Sequence, residues 1–117
     1  MSATSNVRTR IRNLANVTIV DLSGEINGLA EQEMEEAYQQ AAEHDPSAIV
    51  LNFTDVDYIN STGIALIVSV LAQARKDHRT LAVFGLSPHY QEIFQITRLS
   101  DFMTIFQDET AALQSAA

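Results

Sequence analysis

Ala48-Ile49-Val50-Leu51-Asn52-Phe53, followed by Val56-Asp57-Tyr58-Ile59-Asn60-Ser61-Thr62-Gly63-Ile64, is the passage that decides how this chain is read. Residues 48–53 are apolar with little alternation, the mark of a strand covered on both faces. Residues 54–60 read as a loop, and a helix follows over 61–78. A junction of this kind lies at the carboxyl end of a sheet, where open α/β folds place their function. Asn60, Ser61 and Thr62 are all residue types that cap a helix by accepting a backbone N–H. Gly63 permits a close approach that a side chain would obstruct.

On a helical wheel, Ile64, Ile67, Val68, Leu71 and Ala74 form the core-facing stripe, with Val70 at its edge. Leu66 falls nearly opposite, beside Ser69 and Gln73, which makes Leu66 and Ser69 candidate contacts for a partner. Isolated surface leucines are also ordinary.

Upstream, residues 7–14 alternate apolar and polar side chains and predict a half-buried strand. Asn16 marks a turn, and residues 17–22 form a β-branched second strand closed by Ser23-Gly24. So short a link implies an antiparallel hairpin. Residues 28–44 change to helical spacing, with Glu31, Glu33, Glu35 and Glu36 occupying much of what the apolar positions leave. Asp45-Pro46 ends that helix.

Downstream, residues 81–84 are another buried strand. Ser87-Pro88 opens a helix, with Tyr90, Ile93 and Phe94 on its apolar side. Residues 103–106 make a last strand, and Asp108 caps a helix through about residue 115. The order is ββαβαβαβα. Strands alternating with helices imply an α/β fold with a mainly parallel central sheet and an antiparallel first strand. The expectation is a single domain over 1–117, without repeats or linkers.

Composition narrows the function. The net charge of −8, with only seven scattered basic residues, argues against a nucleic-acid partner and against an anionic membrane surface. There is no cysteine, so disulfides and thiolate sites are excluded. Residues 1–6 are polar and unlike a signal peptide. The apolar run 64–72 is too short for membrane insertion. A cytoplasmic protein is expected.

Enzymatic readings find little support. No Gly-x-Ser-x-Gly elbow, Walker loop or Gly-x-Gly-x-x-Gly motif is present. His44, His78 and His89 stand at helix boundaries with no metal-ligand spacing, and Asp55 and Asp57 read as solvated loop acids. A receiver domain would need an acidic pair after the first core strand, an aspartate ending a middle strand and a late lysine. None of these is found. No cofactor or metal is expected.

Ser61 is the candidate working residue. A phosphoryl group there would meet the free N–H groups and positive dipole end of a helix start, and would add about −1.5 to −2 charge at neutral pH. The plainer reading makes Asn60-Ser61-Thr62 only a helix cap, in a constitutive scaffold or a nucleotide-sensing module.

The chain resembles the STAS domain family, the anti-sigma factor antagonists and related stress-signalling modules of bacteria, over nearly its whole length. The strand 49–53, the loop 56–60 and Ser61-Thr62-Gly63 are similar to the family's strand, loop and Asp-Ser-[Ser/Thr]-Gly helix start. Leu22-Ser23-Gly24-Glu25-Ile26 and Leu81-Ala82-Val83-Phe84-Gly85 resemble two further family segments. The resemblance implies partner switching without catalysis. The unmodified form binds an anti-sigma factor serine kinase or related scaffold, phosphorylation of the serine matching Ser61 releases it, and a metal-dependent serine phosphatase reverses the change. Three positions depart from the family's pattern: Asn60 and Asn27 replace acidic residues, and Arg98 stands where many relatives have glycine. The first two remove negative charge near Ser61. Exposed strand edges leave the oligomeric state open.

Overall fold

A computed structural model of the chain describes residues 6–116; the polar leader, apart from Asn6, lies outside the described residues. Five strands form one sheet in the order β1-β2-β3-β4-β5. Strand β1 (Arg8–Leu14) pairs antiparallel with β2 (Val17–Ile26) across a two-residue turn. The parallel strands β3 (Ala48–Ile59), β4 (Thr80–Phe84) and β5 (Thr104–Phe106) follow. Between them run α1 (Glu31–Ala42), α2 (Ser61–Lys76) and α3 (Pro88–Ile96), and α4 (Glu109–Ala116) ends the chain. Short 3₁₀ turns, Gly28–Ala30 and Leu99–Asp101, precede α1 and follow α3. The expected mixed α/β sheet is the one observed.

Alternation along the central strands separates two cores. Val20 and Leu22, Ile49, Leu51 and Phe53, and Leu81 and Val83 face α1, α2 and α3, packing with Met34, Ala37, Tyr38, Ile67, Leu71 and Phe94. Val17 and Ile19, Ala48 and Val50, and Ala82 and Phe84 face the other way, against Ala112 of α4. Because both faces are covered, these strands read as continuous apolar runs.

Two boundaries differ from the sequence expectation. Ser23-Gly24 does not end β2, and residues 54–59 are not a loop. The two segments continue as a parallel ribbon, pairing Ser23 with Asp55, Gly24 with Val56 and Ile26 with Ile59 across register shifts. Ser23-Gly24 looks like a stop because it is a bulge. Gly24 takes φ +88, and a Cβ there would collide with the backbone carbonyl of Asn6. The ribbon carries the chain past the packed sheet to the start of α2.

The helix stripe is also rotated from the wheel reading. Ile67, Val70, Leu71 and Ala74 are buried, whereas Val68 is 45% exposed. Leu66 is half-buried and packs on the larger core instead of facing solvent. A wheel of one helix cannot know that α1 lies along its flank.

The second sheet face is tied to α4 by charge. Arg12 of β1 grips Asp21 of β2 with two hydrogen bonds of 2.7 and 2.8 Å and reaches Glu109 of α4 at 2.6 Å. Asn52 of β3 donates to the same Asp21 carboxylate at 2.8 Å. Partial burial pushes the Asp21 pKa up, but the bonds from Arg12 and Asn52 outweigh it, and the net direction is down. The stabilisation is therefore complete above the unfolded-state value of about 3.9 and fades as pH falls through the lower folded value. Arg12→Ala is expected to lower unfolding free energy by about 1–2 kcal/mol at pH 7. In urea unfolding at pH 7 and pH 3, Asp21→Asn should lose less stability on acidification than the wild type. Equal acid losses would disconnect Asp21 from acid stability.

Candidate functional site

The start of α2 is fixed by backbone contacts before any side chain acts. The Asn60 N–H donates to the Ile26 carbonyl at 3.2 Å. Gly63 lies so close to the same peptide that an added Cβ would stand 2.8 Å from the Ile26 carbonyl carbon and overlap its oxygen. On the neighbouring turn, a Cβ on Gly28 would touch the Thr62 methyl at 3.0 Å. The 26–28 loop and the first turn of α2 therefore converge, as the sequence reading anticipated for Asn27 and Ser61.

The cap belongs to Asn60. Its side-chain oxygen accepts from the Gly63 N–H at 2.8 Å, and its carbonyl accepts from Ile64 at 2.9 Å. Of the three residues that the plainer reading took together as a cap, Asn60 is the one that caps, and Ser61 is not. Ser61 is the first helical residue, exposed, and its hydroxyl makes no hydrogen bond among the described residues. Thr62 is likewise exposed. The Ser61 and Thr62 amides precede the first intrahelical bond and are free by helix geometry. The first turn of α2 carries no acidic side chain. With a neutral cap, nothing in that turn opposes the positive end of the helix dipole.

Asn27 serves its own turn. Its side-chain oxygen accepts from Leu29 N at 2.9 Å, and its amide donates to Glu25 at 3.4 Å. It shapes the loop against α2 and is neutral where the resemblance implies aspartate.

Leu66 and Ser69 lie further along α2, on the flank that meets α1. Together with Met34, Tyr38 and Glu35 they line a groove of about 230 Å³. The Ser69 hydroxyl donates to the Ala65 carbonyl at 3.2 Å. These two residues do not sit beside the Ser61 hydroxyl but on another side of the helix.

Some residues at this end were not singled out from the sequence. The Tyr90 hydroxyl accepts from the Ile59 N–H at 2.9 Å, so α3 holds the last residue of β3 in place. Its helical spacing had suggested only an apolar role. Leu29 and Tyr58 are about half exposed beside the convergent loops, the first in the segment read as the start of a helix and the second in one read as a loop. His44, His78 and His89 are exposed, as are Asp55 and Asp57. No cluster of metal-ligating side chains occurs among the described residues, and no helix there is long and apolar enough to cross a membrane.

A mixed five-stranded sheet delivering an exposed serine at the start of the second helix defines a narrow class of α/β module. Residues 8–112 match the family model described as the STAS domain, and the chain belongs to that family. An anti-sigma-B factor antagonist of Listeria monocytogenes is 30% identical over 84 residues, covering 72% of this chain and 74% of the relative. An anti-sigma factor antagonist from Mycobacterium paratuberculosis superposes with TM-score 0.82 at 21% identity, over 99% of this chain and 98% of that one. The Bacillus cell fate determinant SpoIIAA in its phosphorylated form superposes with TM-score 0.65 at 18% identity, over 92% of this chain and 99% of that one.

The cap assignment is open to measurement. Asn60→Ala should cost about 1 kcal/mol, while Ser61→Ala should cost less than about 0.5 kcal/mol. Gly63→Ala should cost about 1–3 kcal/mol through its collision with the Ile26 peptide. Urea midpoints rank the three, and a larger loss at Ser61 than at Asn60 would reassign the cap.

Proposed function

We propose that this chain is an anti-sigma factor antagonist of a bacterial partner-switching pathway, controlled by phosphorylation of Ser61. The observation that carries the reading is an exposed Ser61, whose hydroxyl makes no hydrogen bond among the described residues, at a helix start already capped by Asn60. Relatives named as anti-sigma-B factor antagonists support the same role. So does the existence of a structural neighbour in a phosphorylated form.

The physics is that of a surface switch. The unmodified helix start, whose first turn carries no acidic side chain, with Leu29 and Tyr58 beside it, faces an anti-sigma factor kinase or related scaffold. Phosphorylation adds about two negative charges without removing any bond that holds α2. The free amides and the helix dipole favour the dianion on the antagonist, and the partner loses its fit and meets repulsion. A serine phosphatase restores the first state. Asn60 and Asn27 lower the local negative charge and so make the dianion easier to hold. Leu66 and Ser69 fit a flanking contact along the α1 side. The role is binding without catalysis, as a single α/β domain in the cytoplasm.

Incubation with the cognate kinase and ATP should place one phosphate on Ser61, read by mass spectrometry of proteolytic fragments. Ser61→Ala should bind the partner under all conditions, and Ser61→Asp should bind about tenfold or more weakly. Equal binding by the two variants would remove the switch.

A further inference from the structure

The side of α2 away from α1 carries an apolar surface that the switch does not use. Val68 and Phe102 are 45% and 54% exposed, and with Leu71, Ala72, Thr97 and Leu99 they line an open cleft of about 450 Å³. The Arg75 guanidinium lies over the Phe102 ring, 5.2 Å from its centroid. Arg98 also lines the cleft, whereas Lys76, in the last turn of α2, is next to it in sequence but does not line it. Two of the chain's seven basic residues, Arg75 and Arg98, thus line this cleft on a protein of net charge −8.

Arg98 is presented by the turn that ends α3. It follows the end of α3 in the left-handed region, at φ 65 and ψ 15. This is the position after a helix that favours glycine, and the chain fills it in the same way with Asp45 beyond α1 and His78 beyond α2, so at Arg98 it is an ordinary helix ending. Its ion pair with Asp101, at 2.9 Å, is largely exposed and gives little in return. The negative end of the α2 dipole accounts for Arg75 and Lys76. It accounts neither for Arg98 nor for an exposed phenylalanine.

We infer that this cleft docks an amphipathic segment with an acidic edge, contributed by the same anti-sigma partner that reads Ser61. The inference rests on the partner-switching reading for the identity of the partner. The occupant's apolar side fits Val68, Leu71, Ala72 and Phe102, and its carboxylates meet Arg75 and Arg98. A second copy of the chain is the poorer occupant, because a two-fold contact would set these cations against their own images. Val68 lies about 10 Å along α2 from Ser61, and Arg75 about 21 Å. One interface of ordinary size reaches both ends of the helix. The cleft supplies affinity that phosphorylation does not touch, and the helix start supplies the control.

The test measures affinity for the cognate anti-sigma kinase by calorimetry, using wild type, Phe102→Ser, Arg75→Glu, Arg98→Gly and Ser61→Asp, with thermal melts as a check on folding. Phe102→Ser and Arg75→Glu should each weaken binding about tenfold or more while melting near the wild type. Arg75→Glu should also flatten the salt dependence of the affinity. Arg98→Gly relaxes the backbone, so it should melt no lower than wild type and still bind more weakly. Wild-type affinity in the cleft variants, with Ser61→Asp weakened, would overturn the cleft and leave the switch standing. Weakened cleft variants beside an unaffected Ser61→Asp would keep the cleft and remove the switch. Sedimentation showing a dimer that Phe102→Ser dissolves would give the cleft to a second copy and overturn the assignment.

Discussion

The approach of Gly63 to the Ile26 peptide is the constraint on which the rest of the structure hangs. Helix α2 can begin where it does only because no side chain stands between its first turn and the end of β2. The Asn60 N–H closes the same contact from the other side by donating to the Ile26 carbonyl. Two backbone segments far apart in sequence are thereby locked without relying on flexible side chains. That rigidity is what lets an exposed hydroxyl be held in one place. The β2–β3 ribbon, with its Gly24 bulge, brings Ile26 and Ile59 to the same level, and Tyr90 of α3 fixes Ile59 through its N–H.

Around that contact the electrostatics are graded. The outer face of α1 is rich in glutamate, and its first turn carries Glu31 and Glu33. The first turn of α2 carries no carboxylate, and its last turn carries Arg75 and Lys76. A chain of net charge −8 thus leaves the start of α2, like that of α3, free of the carboxylates that crowd the start of α1. The difference matters because dipole and amide contributions act over the first turn only. A carboxylate at position 60 would stand within that range, whereas the glutamates of α1 are mostly solvated and screened.

Much of this was legible in the sequence because the signals are local. The apolar runs at 48–53 and 81–84, the Ser87-Pro88 start of α3 and the Asp108 cap of α4 each contain their own explanation, and each is present. Ser61 at the head of α2 was legible for the same reason. The misreadings occur where a distant neighbour decides. Ser23-Gly24 has the composition of a turn, but pairing with residues 55–56 makes it a bulge within a strand. Val68 fits the helical period, yet the flanking α1 rotates the buried arc toward Val70 and leaves Val68 in solvent. The choice of Asn60 over Ser61 as cap depends on a one-residue offset in helix phase that three adjacent capping residues cannot reveal. Tyr90 looked apolar because its hydroxyl partner is a backbone amide 31 residues away.

The proposed division of labour along α2 accords with these facts. A switch residue must change charge without unfolding its own support, so the groups that hold the helix must differ from the group that is modified. Here Asn60, Gly63 and the Ile26 carbonyl hold the helix, and the Ser61 hydroxyl holds nothing among the described residues. A partner that gripped only this first turn would have a small interface and weak affinity, since area near one residue cannot supply a stable complex. A partner that gripped only the far end would not sense the phosphate. A helix of 16 residues, about 24 Å long, joins a chargeable end to an apolar, cation-rimmed end within the reach of one interface. Its buried stripe, Ile67, Val70, Leu71 and Ala74, keeps the two ends in fixed register.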